Sequence, residues 1–320
     1  MRRRHLYGAA LLLAAPALHA QPAWPERPVR IIVPFPPGQS TDIVARLVAD
    51  ELSRRWPQRV VVENRAGGAG VPAMEVVARA APDGTTLVAG SIGPMAVNAA
   101  VIPRLSYDPE QDFTPITNLS LVPLCIVAHP SFPASDPAGF LAAARAASPP
   151  LAIATAGPAS GAHMAAELLA HRLGIQLTMV HYRGSAPAIT DLIAGTVPLM
   201  TDSLASALPN VRAGRLKLIG VSTRGRVSWA PEVPSFAESV APGHEAVGWN
   251  GLAGPARLPP EIVTRINADV TAALRDPMVV ARIEEAGMLA DPQTPAQFGA
   301  FLRAEILRWR EVARMANVTL

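Results

Sequence analysis

The chain has 320 residues, half of them hydrophobic and 17% charged, with a single cysteine. That composition excludes a disordered or disulfide-stapled chain and supplies core material for about two domains. The formal net charge is +3, and Arg2, Arg3 and Arg4 account for it, so the chain beyond them is neutral (+3 − 3 = 0). No other segment clusters Lys and Arg, which excludes a nucleic-acid footprint.

The three arginines open a positive segment, and residues 6–18 follow as an apolar stretch too short to span a bilayer. Ala20 offers a small residue before a cut. Residues 1–20 therefore have the pattern of a cleavable secretory signal, which implies export to the periplasm. No cysteine lies near the cut to accept a lipid.

Beyond the signal, strands and helices alternate. Residues 29–34 read as a strand, and 41–55 as a helix with Ile43, Val44, Leu47, Val48 and Leu52 on one face. A strand at 58–63, a helix at 72–80 and a strand at 85–89 complete a βαβαβ series, the signature of a parallel sheet with right-handed crossovers. A second series starts with a strand at 124–128 and a helix at 137–147. It continues through strands at 151–154, 178–182, 198–201 and 217–222, with helices at 162–173, 187–194 and 204–213 between them. Two such series predict two α/β lobes. A lone strand at 247–255 precedes helices at 260–274, 278–286 and 295–316. Helices without strands between them must cover an existing sheet, so this region is expected to return to the first lobe. Cys125, inside the apolar run 121–128, is expected in the core.

Four strand-to-helix turns carry the polar chemistry. The first holds Phe35, Pro37, Gly38, Gln39, Ser40, Thr41 and Asp42. In open α/β sheets ligands bind outside the carboxyl ends of strands. A helix start there presents unpaired N–H groups and the positive end of the helix dipole, a site for an anion without lysine or arginine. Equally, Ser40 is a helix cap and the prolines stiffen the turn. The second turn holds Gly157, Ala159, Ser160 and Gly161 and repeats that logic. Ser160 also invites a hydrolase reading, but the spacing Gly-x-x-Ser-Gly is not that of a nucleophile elbow, and His163 one turn on is not an obvious base. The third holds Arg183, Gly184, Ser185 and Ala186. Ser185 is the expected cap, and Arg183 is either a carboxylate partner or a solvated surface residue. In the fourth, Asp202 either accepts from a ligand ammonium or hydroxyl or caps the next helix.

Other chemistries lack their residues. The glycines between Asn64 and Gly70 lack the Gly-Lys-Ser/Thr of a phosphate-binding loop. The seven histidines have no zinc spacing and no cysteine partner, and His163 and His171 are read as surface residues. No metal or cofactor is expected.

The stretches PVRIIVPFPPG at 28–38, VVENRAG at 61–67, APDGTTL at 81–87 and YDPEQDF at 107–113 are specific in this order. So are HYRG at 181–184, AGRLK at 213–217, PEVPS at 231–235 and WNGL at 249–252. Nearly the whole chain resembles the substrate-binding proteins of tripartite tricarboxylate transporters, also called Bug receptors. The resemblance implies a two-lobe Venus-flytrap fold and no enzyme activity. It implies a carboxylate ligand held by backbone amides of the facing turns around Phe35 to Asp42, Gly157 to Ala162, Arg183 to Pro187 and Asp202. Its implied partners are the membrane permease subunits of such a transporter, and the receptor itself is expected to be a monomer. Gln39, where the family usually has glycine, and Arg183, usually lysine, depart from the pattern and put the ligand's identity in doubt. Lobe one is expected at residues 24–123 and 245–320, and lobe two at 124–244, joined by two chain crossings suited to hinged closure. Two other functions compete: a receptor that presents its solute to a sensor, and an exported hydrolase using Ser160.

Overall fold

A computed structural model describes residues 24–227 and 230–320. The expected signal over residues 1–20 lies outside them.

The first series builds β1 (Val29–Val33), α1 (Ser40–Arg55), β2 (Val60–Asn64), α2 (Val71–Ala78), β3 (Thr86–Ser91) and the single-turn α3 (Asn98–Val101). Then β4 (Phe113–Ala128) leads to α4 (Pro137–Ala146), β5 (Leu151–Thr155), α5 (Gly161–Leu173) and β6 (Leu177–His181). There follow α6 (Ser185–Ile193), β7 (Leu199–Ser203), α7 (Leu204–Arg212), β8 (Lys217–Val221) and α8 (Phe236–Ser239). The chain closes with β9 (Val247–Pro255), α9 (Pro260–Leu274), α10 (Pro277–Glu285), β10 (Leu289–Ala290) and α11 (Pro295–Met315).

Two parallel units form as the alternation predicts. β1 lies between β2 and β3, and β5 lies between β6 and β7, all parallel. The strands that join these units are antiparallel. β9 pairs with β3 and with β4, and β4 pairs with β7 and β8. The result is one curled sheet of mixed direction, its helices laid on both faces.

The strand expected at 124–128 is the last five residues of the 16-residue β4, and the longer first part was not anticipated. Pro115 and Pro123 and the polar Thr114, Thr117, Asn118 and Ser120 hide it from hydrophobic periodicity. Pro115 is tolerated because it sits at a register irregularity of the β4–β9 ladder. Pro123 sits where the strand changes partners. Residues through Pro123 pair with β9, and residues from Leu124 pair with β7.

The core follows these two halves. Val29, Ile31, Val33 and Leu87 pack under α1 and α9, while Ile32, Val88 and Trp249 pack under α2 and α11. The C-terminal helices therefore do cover the sheet of the first series. Trp249 and Trp309 both donate to the buried carboxylate of Glu305, each at 2.8 Å, which pins α11 to β9. Cys125 is fully buried, as expected, and burial pushes its thiol pKa well up.

Candidate functional site

The two halves meet closely around two glycines. Gly184 has φ +118, a conformation that a side chain strains, and a Cβ there would sit 3.2 Å from Pro36 and 3.3 Å from the Gln39 amide. Gly161 lies so near Ile92 that a Cβ would approach its Cγ2 to 2.5 Å. The Gln39 side chain also reaches across, its Nε2 donating to the Ser185 hydroxyl at 3.4 Å. The turn before α1 therefore lies against the turn before α6.

Between the halves lies an inner cavity of about 60 Å³. The starts of α1, α5, α6 and α7 all face it, through Ser40 and Thr41, Ser160 and Gly161, Ser185, and Ser203. Phe35, Gln39 and Asp202 also line it, and none of its lining residues is lysine or arginine. An outer cavity of about 600 Å³ shares Phe35, Ala156 and Ser160 with the inner one and carries Gly157, Ala159, Arg183 and Gly184. Pro37, Gly38 and Ala186 border a third hollow on the far side of the Gln39 bridge, of about 340 Å³.

Two of the four helix starts are capped by a side chain. Ser160 accepts from His163 N–H at 3.1 Å, and Ser203 accepts from Ser206 N–H at 3.2 Å. The other two are not. Ser185, expected as a cap, and Ser40, read equally as a cap or an anion contact, are the first helical residues instead. The cap positions fall to Gln39 and Gly184, neither of which gives a side-chain cap. Each helix begins one residue earlier than a serine cap would place it, because the serine itself already has helical backbone. Likewise the cap of α7 is Ser203 and not Asp202. The first N–H groups of α1 and α6 therefore have neither an intrahelical partner nor a side-chain cap.

Asp42 faces away from all three cavities. Its carboxylate accepts from Gly38 N–H at 2.9 Å, Arg46 Nε at 3.0 Å and Asn64 Nδ2 at 2.8 Å. Burial alone would raise its pKa, but the bonds from Arg46, Gly38 and Asn64 hold it below the usual carboxylate range. Asp42 thus ties the turn before α1 to β2. Thr41 does similar work on the other side, donating to Asn250 Oδ1 at 2.6 Å. Arg183 is exposed at the rim and forms no hydrogen bond or ion pair among the described residues.

Asp202 differs from every other acid in the site. It is 3% exposed, and its Oδ1 accepts from Ser185 Oγ at 2.9 Å and Ser203 N–H at 2.8 Å, while its Oδ2 has no partner. Burial raises its pKa to about 7 against the lowering effect of those two bonds.

Ser160 has no general base. Its hydroxyl caps α5, and His163, buried rather than at the surface, uses Nδ1 to accept from Ala159 N–H at 3.2 Å. The ring's other nitrogen faces Glu167 at 3.4 Å. Among the described residues no group of three or more His, Cys, Asp or Glu could hold a metal.

The inner-cavity residues that sequence reading missed are chiefly Ser91, Ile92, Trp249, Asn250, Ser203 and Ser206. Trp249 and Asn250 did stand in a distinctive stretch. Ser91 gave no signal, because its role depends on β3 ending beside α5.

Comparison with known proteins agrees with this architecture. Residues 44–318 match the model for the tripartite tricarboxylate transporter family receptor. Protein BugT of Bordetella pertussis is 33% identical over 309 residues, spanning 96% of this chain and 94% of that protein. A solved structure of Rpa4515 from R. palustris with adipate is 34% identical with a TM-score of 0.89, covering 92% of this chain and 99% of that one. MatC (Rpa3494) of Rhodopseudomonas palustris with bound malate is 34% identical with a TM-score of 0.84, covering 90% and 99%. The two solved relatives hold a dicarboxylate, adipate in one and malate in the other. The chain belongs to the tripartite tricarboxylate transporter receptor family, as a solute-binding receptor of the Bug type.

Proposed function

We propose that this receptor captures a small carboxylate-bearing solute in the periplasm and delivers it to the membrane permease subunits of a tripartite tricarboxylate-type transporter. The observation that carries this reading is the inner cavity: four helix starts converge on it and no cationic side chain does. Such a site suits an anion held by backbone N–H groups. The ligand-contacting set is Phe35, Gln39, Ser40, Thr41, Ser160, Gly161, Ser185 and Asp202 around the carboxylate, with Gly157, Ala159, Arg183 and Gly184 toward its outer end. Pro37, Gly38 and Ala186 shape the turns, and Asp42 holds the first of them in place.

Residues 24–123 and 245–320 act as one lobe and 124–244 as the other. The partner exchange of β4 at Pro123 and Leu124 supports a hinge at that point. Residues 1–20 direct export and are removed. The protein works as a monomer, and closure over the solute presents the face that the permease reads.

Native mass spectrometry of freshly purified protein, with calorimetry against a panel of mono- and dicarboxylic acids, tests the reading. An acid bound one to one, with a smaller radius of gyration in solution scattering than after its removal, is the expected result. A protein that binds no acid, or that turns one over, would refute it.

A further inference from the structure

Asp202 is an acid inside a site proposed to hold an acid, and its surroundings do not neutralise it. The start of α1 brings Gln39, Ser40 and Thr41 to the cavity; α6 brings Ser185; α7 brings Ser203 and Ser206. From β4 the register neighbour is Cys125, whose buried thiol is raised in pKa by burial and by the Asp202 charge. Arg183 is exposed and forms no ion pair with it. An ionised carboxylate there would repel a ligand carboxylate across a cavity of about 60 Å³ with little water to screen it. Asp202 lines that cavity, and protonation would turn its unpartnered Oδ2 into a donor, giving a buried polar atom without a partner the means to bond a ligand oxygen.

We propose that Asp202 is a proton-bearing ligand contact, whose Oδ2–H donates to the bound carboxylate, so that the site selects acids without an ammonium group and capture takes up a proton. This inference rests on the carboxylate reading above. The proton comes from solvent and stays on Asp202; no covalent bond to the ligand forms. Burial has already raised the free carboxyl to about 7, and a bound anion raises it further. The sign follows. Affinity is full below the free value and falls as pH rises through it, and the protein then draws up to one proton from the medium on binding.

Calorimetry with adipate, malate and aspartate, in buffers of different ionisation enthalpy, tests this. Aspartate carries an ammonium where malate carries a hydroxyl. For adipate or malate, affinity should fall about 30-fold between about pH 6 and about pH 8.5, the drop that a group titrating near 7 imposes. Uptake should approach one proton at the higher pH and vanish at the lower. Asp202→Asn, whose amide donates at every pH, should flatten the dependence and abolish the uptake. Malate or adipate bound with no proton uptake and no pH dependence overturns the inference alone and leaves the carboxylate reading standing. Aspartate bound in preference to both also overturns it, since an ionised Asp202 then pairs with the ammonium. If none of the three binds at either pH, the carboxylate reading falls and this inference with it.

Discussion

The four helix starts around the inner cavity are not equivalent. At α5 and α7 a serine side chain already caps the first turn. At α1 and α6 nothing does, and these are the two starts that meet when the Gln39 amide reaches Ser185. A capped start is a structural element complete in itself. An uncapped one leaves donors free for a ligand oxygen, and on the function proposed above the anion serves as the missing cap. The pair in contact across the cavity is the pair left open.

Several changes break or sharpen this contrast. The largest effect concerns Asp202, which links an open start to a capped one through Ser185 and Ser203. Its pKa is raised by folding, so its contribution is full below the unfolded value near 4 and is lost as pH rises through about 7. Asp202→Asn should leave unliganded stability unchanged at about pH 4 and raise it at about pH 8, by up to about 4 kcal/mol at roughly 1.4 kcal/mol per pH unit. Urea melts of both proteins at the two pH values check this.

Gly184→Ala comes next. It strains a glycine-only backbone and pushes against Pro36 and Gln39, at a cost of about 1–3 kcal/mol. Affinity should fall tenfold or more, and scattering should show an open molecule at ligand concentrations that close the native one.

The capped and open starts then separate in stability. Ser160→Ala and Ser203→Ala should each cost about 1 kcal/mol. Ser40→Ala, at a position that caps nothing, should stay within about 0.5 kcal/mol. A cost at Ser40 equal to that at Ser160 would erase the distinction. The smallest effect is expected at Arg183→Ala. An exposed cation at the rim should contribute less than about 1 kcal/mol to binding, and that part should fade with added salt.

The sequence carried the alternation of strands and helices, the turns that border the inner and outer cavities and the return of the C-terminal helices, because each rests on local periodicity or on turn residues. The longer first part of β4 was not legible: its prolines and polar residues are accommodated by a ladder irregularity and by two different partners, facts of tertiary pairing. The cap of α6 was misplaced by one residue, and of the two readings held for Ser40 the cap misses by the same residue. A serine before an apolar run looks the same whether it is the cap or the first helical residue, and only the non-helical backbone of Gln39, extended, and of Gly184, at positive φ, separates the two. Asp42 was read as a ligand contact because it stands in the right turn. Its partners Arg46 and Asn64 lie four and 22 residues away, and the second of these no local pattern reveals. The unpartnered oxygen of Asp202 is likewise a property of packing, invisible until β7, α6 and α7 come together.

The central claim is that the uncapped starts of α1 and α6 hold the ligand anion. A crystal structure with the tightest-binding acid of the panel tests it most directly. The account predicts a carboxylate whose oxygens lie about 2.7–3.2 Å from backbone nitrogens in the first turns of α1 and α6, with the Asp202 carboxyl beside it. A carboxylate seated on the Arg183 guanidinium, with both helix starts facing only water, would contradict it.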